Sequence, residues 1–197
     1  MVLSFIIIPE GKTRKPGLCP GRRRGTIAEW KGAEGDMIEQ ARPEDLDRLL
    51  ELYAGARAYM RRSGNPSQWE EGYPSREILE QDLGRGNLYV VRRKGTICGA
   101  FVLALGEDPT YGRIDQGAWL RSGPYGTIHR LTGAEGERGI FAECLAFCRR
   151  RCQDLRADTH RDNRKMQQLL EQNGFRRCGI IYVRDGSPRI AYQLKRI

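Results

Sequence analysis

The stretch from Tyr125 to Phe175, YGTIHRLTGAEGERGIFAECLAFCRRRCQDLRADTHRDNRKMQQLLEQNGF, decides the fold. A β-prone run, Thr127 to Thr132, leads into a loop that holds Gly133, Gly136 and Gly139. Phe141, Leu145 and Cys148 then recur at helical spacing. A short strand, Leu155 to Thr159, follows, and a second helix from Asn163 to Asn173 is closed by Gly174. The order is strand, glycine loop, helix, strand, helix. Glycines ahead of a helix leave backbone N–H groups open, and the helix dipole adds partial positive charge there. Such a loop suits a phosphate or pyrophosphate. It is not a nucleotide P-loop, because no Lys-Ser/Thr follows its last glycine, and the G-x-G-x-x-G pattern is absent. An ordinary turn is the plainer reading of the glycines alone.

Working outward, Met37 to Ala41 reads as a strand, and Arg42-Pro43-Glu44-Asp45 opens a helix with Leu46, Leu49, Leu50, Tyr53 and Met60 in phase. Ser75 caps a second helix carrying Ile78, Leu79 and Leu83. Strands Leu88 to Arg92 and Ile97 to Leu105 join at Arg93-Lys94-Gly95-Thr96. A further strand is expected over Ile114 to Trp119. A last hairpin, Ile180 to Val183 and Arg189 to Leu194, turns at Asp185-Gly186. The sum is an α+β domain with a mixed, mostly antiparallel sheet of about seven strands and about four helices.

Residues 1–36 do not fit this pattern. An apolar octet is followed by Pro, Gly and clustered Arg, too short to span a bilayer and without the marks of a secretion signal. They are expected to be a disordered extension or translated upstream sequence, with the functional domain at 37–197. Ala33-Glu34-Gly35-Asp36 before Met37 could be encoded by a purine-rich ribosome-binding run.

The formal charge of +9, from 34 basic and 25 acidic residues, fits an anionic partner, nucleic acid, or a solvated surface. No recognition-helix or aromatic stacking motif supports nucleic acid. Cys144, Cys148 and Cys152 recur every fourth residue and share one helix face, which favours packing as small hydrophobes. With no secretion signal, reduced thiols in a cytoplasmic protein are expected. Two histidines and no C-x-x-C pair leave no metal site in view.

The stretch resembles the GNAT family of acetyl-CoA-dependent N-acetyltransferases. Gly136-Glu-Arg-Gly139-Ile-Phe141 aligns with the family's pyrophosphate loop. Asn163-Arg-Lys-Met166-Gln-Gln-Leu-Leu170, then Glu171-Gln-Asn-Gly174-Phe175, aligns with its second signature. The resemblance runs from about Met37 to the C-terminus. Phe141 stands where a small residue usually ends the loop, Met166 where alanine is usual, and Leu170 where many members carry a tyrosine acid.

The resemblance implies central strands splayed around acetyl-CoA, with no metal required. Its pantetheine arm would lie along Arg130 and Leu131, and its pyrophosphate at the N–H groups of Glu137, Arg138, Gly139 and Ile140. Asn163 matches the family's cofactor-contacting asparagine. Asp158 is a candidate base or a structural aspartate; His129 is the rival base or a packed histidine. Trp69 and Tyr73 are candidate acceptor-pocket walls or plain packing. The implied activity is transfer of acetyl to a primary amine of a small molecule or protein. The alternatives are a non-catalytic acyl-CoA-binding module and, more distantly, a basic nucleic-acid-binding domain.

Overall fold

The computed structural model describes Trp30–Lys31 and residues 36–194; most of the expected N-terminal extension lies outside the described residues. The strands are β1 (Trp30–Lys31), β2 (Asp36–Gln40), β3 (Leu88–Arg93), β4 (Thr96–Leu105), β5 (Gly126–Gly133), β6 (Leu155–Thr159), β7 (Phe175–Tyr182) and β8 (Pro188–Leu194). The helices are α1 (Leu46–Arg62), α2 (Arg76–Gly84), α3 (Ile140–Arg151) and α4 (Arg164–Gln172). All strands form one sheet in the order β1-β2-β3-β4-β5-β6-β8-β7. Only β5 and β6 run parallel.

Local chemistry explains the elements. Pro43 sits in a 3-10 turn ahead of α1, where Asp45 accepts from the Arg42 N–H at 2.9 Å. Leu46, Leu49, Tyr53, Ala56 and Met60 line the buried stripe of α1. Ser75 caps α2 by accepting from the Ile78 N–H. Lys94 and Gly95 both take positive φ between β3 and β4, the two-residue turn that matches strand twist.

Helices cover both faces. On one, α3 and α4 bury Ile140, Phe141, Cys144, Leu145, Cys148, Met166, Leu169 and Leu170 against Phe101, Ile128 and Leu131. On the other, α1 and α2 pack on Leu88, Val90, Ala100 and Val102. A smaller apolar cluster, Tyr111, Tyr125, Ile181 and Ala191, lies under the segment between β4 and β5. Phe141, Met166 and Leu170 are thus core residues. Of the three cysteines expected on one packed helix face, Cys144 and Cys148 are buried and Cys152 is half-buried; Cys19 lies outside the described residues.

One expected strand is absent. Ile114 to Trp119 touches the sheet only through the bridge of Asp115 to Ile180. Trp119 instead stacks on Tyr111 and donates its indole N–H to the Tyr111 carbonyl. Trp119 thus anchors a loop that lies over the sheet.

Candidate functional site

β5 and β6 pair only at Gly126 with Leu155 and Thr127 with Arg156, near their N-terminal ends. Beyond that point the ladder ends, so His129 to Gly133 and Asp158 to Thr159 stand on parted strands. The register against β4 also slips here. Ala100 faces Thr132 and Val102 faces His129, so Phe101 alone opposes Arg130 and Leu131. Arg130 takes φ 51°, and its carbonyl accepts from the Tyr53 hydroxyl at 2.9 Å. This bulge re-aims the backbone at Arg130 and Leu131 beside the gap.

The glycine loop lies at the C-terminal end of β5. Gly139 is the N-cap of α3 at φ 80°, a conformation glycine adopts without Cβ strain. The expected set of open N–H groups narrows by one: the Glu137 N–H donates to the Ala134 carbonyl at 3.1 Å. Those of Arg138, Gly139 and Ile140 have no partner among the described residues. A residue that sequence reasoning missed, Arg93, braces the loop. Its guanidinium bonds the Glu137 carboxylate at 2.5 Å, the Arg138 carbonyl at 2.8 Å and the Glu143 carboxylate.

Asn163 caps α4. Its Oδ1 accepts from the Met166 N–H at 3.1 Å, and its Nδ2 donates to Gln68 Oε1 at 3.0 Å. A cavity of about 240 Å³ runs beside it, lined by Tyr59, Met60, Ser63, Asn65 and residues 162–165.

Between the two apolar clusters on the α1–α2 face lies a buried polar patch. Asp158 is fully buried; its Oδ1 accepts from the Tyr111 hydroxyl at 2.8 Å, and its Oδ2 has no partner. Burial pushes its carboxyl up to about 7, against the Tyr111 bond and the Arg189 charge, with Asp108 adding to the rise. His129 Nε2 lies 3.1 Å from Asp108 Oδ2, and its Nδ1 is buried without a partner. Burial pulls His129 down to about 4 despite that aspartate, and the nearby Arg130 charge adds to the fall. The ring is therefore neutral at neutral pH, with Nε2–H donating to Asp108 as the pairing that leaves a lone pair on Nδ1. Burial opposes ionisation of Asp108, yet the bonds from His129 and Thr110 hold its carboxyl well below the usual range.

The Arg130 side chain turns away from the gap to pair with Asp82 at 2.5 Å and with the Tyr73 hydroxyl at 3.1 Å. Trp69 is buried, with its ring 5.7 Å from those of both Tyr53 and Tyr73. Trp69 and Tyr73 pack in the cluster under α1 and α2, and Tyr73 reaches the polar patch through Arg130. Tyr111, Asp108, Gln68 and Arg189 complete the patch. No local pattern marks them, because two separate loops and β8 bring them together. Among the described residues no cluster of metal-ligating side chains occurs, and no helix is long and apolar enough to cross a membrane.

No protein-family model and no curated protein matches the chain. Solved structures do. A GNAT-family acetyltransferase from Streptococcus agalactiae 2603 is 29% identical over 83% of this chain and 97% of its own, with TM-score 0.68. A GNAT-family acetyltransferase from Listeria monocytogenes 4b F2365 is 17% identical over 84% of this chain and 98% of its own, with TM-score 0.62. A NatC complex bound to Gag peptide and CoA is 16% identical over 83% of this chain and 99% of the matched chain, with TM-score 0.56. The latter two are likenesses of fold.

Proposed function

We propose that this chain, which has the fold of the GNAT acetyltransferases, moves an acetyl group from acetyl-CoA to a primary amine by direct attack. The observation that carries the reading is the gap between β5 and β6, which opens beside a bulged strand and a helix N-terminus with open N–H groups. The parted strands suit an extended pantetheine arm. The N–H groups of Arg138, Gly139 and Ile140 suit a pyrophosphate, held by dipole and hydrogen bonds together. A CoA-bound relative of the same fold supports that use.

Bound acetyl-CoA supplies an activated thioester. The protein would bring the amine to it, accept the ammonium proton at Asp158 Oδ2, and offer the re-aimed backbone near Leu131 to the carbonyl oxygen as it gains negative charge. The amine lone pair forms the new C–N bond, the C–S bond breaks, and the thiolate takes up a proton on release. A carboxyl near 7 is half ionised at neutral pH, which suits a general base better than an imidazole near 4. His129, with Asp108 behind it, is then a positioning group beside the centre.

Leu170, fully buried in the core, gives α4 no proton donor and supports a second reading, a non-catalytic acyl-CoA-binding module. Incubation of acetyl-CoA with an amine panel separates the two. Thiol release dependent on both reactants supports transfer. Tight acetyl-CoA binding without release from any amine supports the module.

A further inference from the structure

Arg189 is only 2% exposed, yet among the described residues it has no carboxylate within ion-pair distance. Its Nη1 donates to Ser187 Oγ at 3.0 Å and the Pro188 carbonyl at 3.1 Å, and its Nη2 to the Gln68 carbonyl at 3.3 Å; its Nε has no partner. A buried guanidinium without an anion is costly, and proteins ordinarily pair such a charge. The nearest buried acid on the same face is Asp158, whose Oδ2 is also free. Asp158 faces Ala191 across the β6–β8 ladder, and Arg189 lies two residues before Ala191, so both side chains leave one sheet face. That diagonal separates backbones by about 7–8 Å. The two charges influence one another without touching.

Gln68 adds a donor of fixed sense. It is 1% exposed, and its Oε1 accepts from both Asn65 and Asn163, which sets the amide so that Nε2 is left over. A buried cation, a spare amide donor on the residue whose carbonyl that cation bonds, and a buried carboxylate oxygen are thus gathered on one sheet face. A ligand that completes this set presents an anion at one end and an amine at the other, a few bonds apart.

We infer that the acceptor is a free α-amino acid, its carboxylate held by Arg189 and Gln68 and its amine delivered to Asp158. This rests on the acetyl-transfer reading and narrows it. A polyamine or an aminoglycoside would press a second cation on Arg189. An amino-acid amide or a peptide N-terminus keeps the neighbouring carbonyl but not the charge that a buried guanidinium calls for.

The test uses the full chain with the common L-amino acids, their primary amides, the matching decarboxylated amines and a dipeptide. Turnover is measured with acetyl-CoA, and binding by calorimetry with CoA already bound. At least one amino acid should exceed both its amide and its decarboxylated amine by about 10²-fold or more in kcat/KM, a floor below the roughly 10⁴–10⁵ by which a site built for a polar group can reject analogues lacking it. Arg189→Met should shrink that ratio to a few-fold and leave acetyl-CoA affinity unchanged. Should Arg189→Met fail to fold, Gln68→Met gives the same readout with a smaller loss. Equal use of decarboxylated amines, or preference for the dipeptide, overturns the amino-acid assignment while acetyl transfer stands. Carboxylate-dependent binding without turnover supports the site and sinks the transfer reading. Failure of every amine both to bind and to react overturns both.

Discussion

At the scale of single residues, His129 and Asp158 are buried titratable groups displaced in opposite senses. The folded state keeps Asp158 protonated up to about 7, where the unfolded chain releases the proton near 3.8, so its contribution to stability falls as pH rises across that window. His129 behaves inversely. The unfolded chain holds a proton from 6.5 downward that the folded state refuses until about 4, so its contribution rises with pH between those values. Each amounts to roughly 3–5 kcal/mol, and over the shared window they nearly cancel. Denaturant titrations at stepped pH should show the two separately. Relative to the wild type, Asp158→Asn should gain stability with rising pH and His129→Gln should lose it; parallel curves for all three proteins would mean that neither group is displaced. The same pair governs rate. With Asp158 as base, kcat should rise with pH through a limb near 7, and Asp158→Asn should lower kcat by about 10²–10⁴ and remove that limb. Amines of low pKa should recover part of the loss. If the limb instead lies near 4 and disappears in His129→Gln, the base is His129. Both residues were legible in the sequence through position alone. Their partners Tyr111 and Asp108 were not, since the segment between β4 and β5 that carries them folds over the sheet and no local pattern marks where it lands.

At the scale of elements, the glycine loop and α3 form the best-marked unit, and the reading of glycines before an apolar helical stripe placed both. What it could not show is how the loop keeps its shape. Arg93 comes from the far end of the β3 strand and gathers the Glu137 carboxylate, the Arg138 carbonyl and the Glu143 carboxylate. Such long-range bracing has no sequence period. It matters for binding, because open N–H groups help an anion only while they stay aligned, and ordering them on binding costs free energy. Arg93→Met should raise the acetyl-CoA Kd roughly 5–30-fold, equivalent to about 1–2 kcal/mol of lost pre-organisation, with secondary structure retained by circular dichroism. An unchanged Kd in a folded variant would show that the loop is held without Arg93. Gly139→Glu tests the anion site itself. The added Cβ meets Glu143 Oε1 at 3.3 Å, the backbone is in the left-handed region, and a new carboxylate joins Glu137 and Glu143. Calorimetry should find acetyl-CoA binding weakened by more than in Arg93→Met. Wild-type affinity would move the pyrophosphate away from this loop.

For the molecule as a whole, the alternation of periods along the chain was enough to give the mixed sheet and its helices, while the parted central strands were expected from the family resemblance. Consecutive strands are neighbours except at β6, whose chain passes through α4 to β7 at the sheet edge before β8 returns to fill the place between them. The buried polar patch escaped because it is a property of assembly: β5, β6, the loop between α1 and α2, the segment after β4, and β8 each deliver one or two groups, and no local rule links them. The same view of distance bears on the N-terminal boundary. Residues 1–36 were expected to stand apart from the domain, yet Trp30–Lys31 pairs with Met37 and Ile38 as an edge strand. That pairing is short, and β1 is separated from β5 by β2, β3 and β4. At about 4.8 Å between neighbours, the edge lies roughly 19 Å from the proposed acetyl-CoA slot. Its removal should leave the slot intact and expose one edge of β2, a small loss for a sheet already anchored through five pairs to β3. A 37–197 protein should therefore bind acetyl-CoA within about twofold of the full chain and melt within about 4 °C of it, the shift expected from at most about 1 kcal/mol in a domain of this size. The newly bared edge is the place to watch, because unpaired strand edges recruit other chains. Light scattering at increasing concentration should remain that of the full-length protein if β1 contributes no more than its two register pairs. A larger drop in melting temperature, a clear loss of affinity, or new self-association on truncation would make the preceding segment part of the working fold.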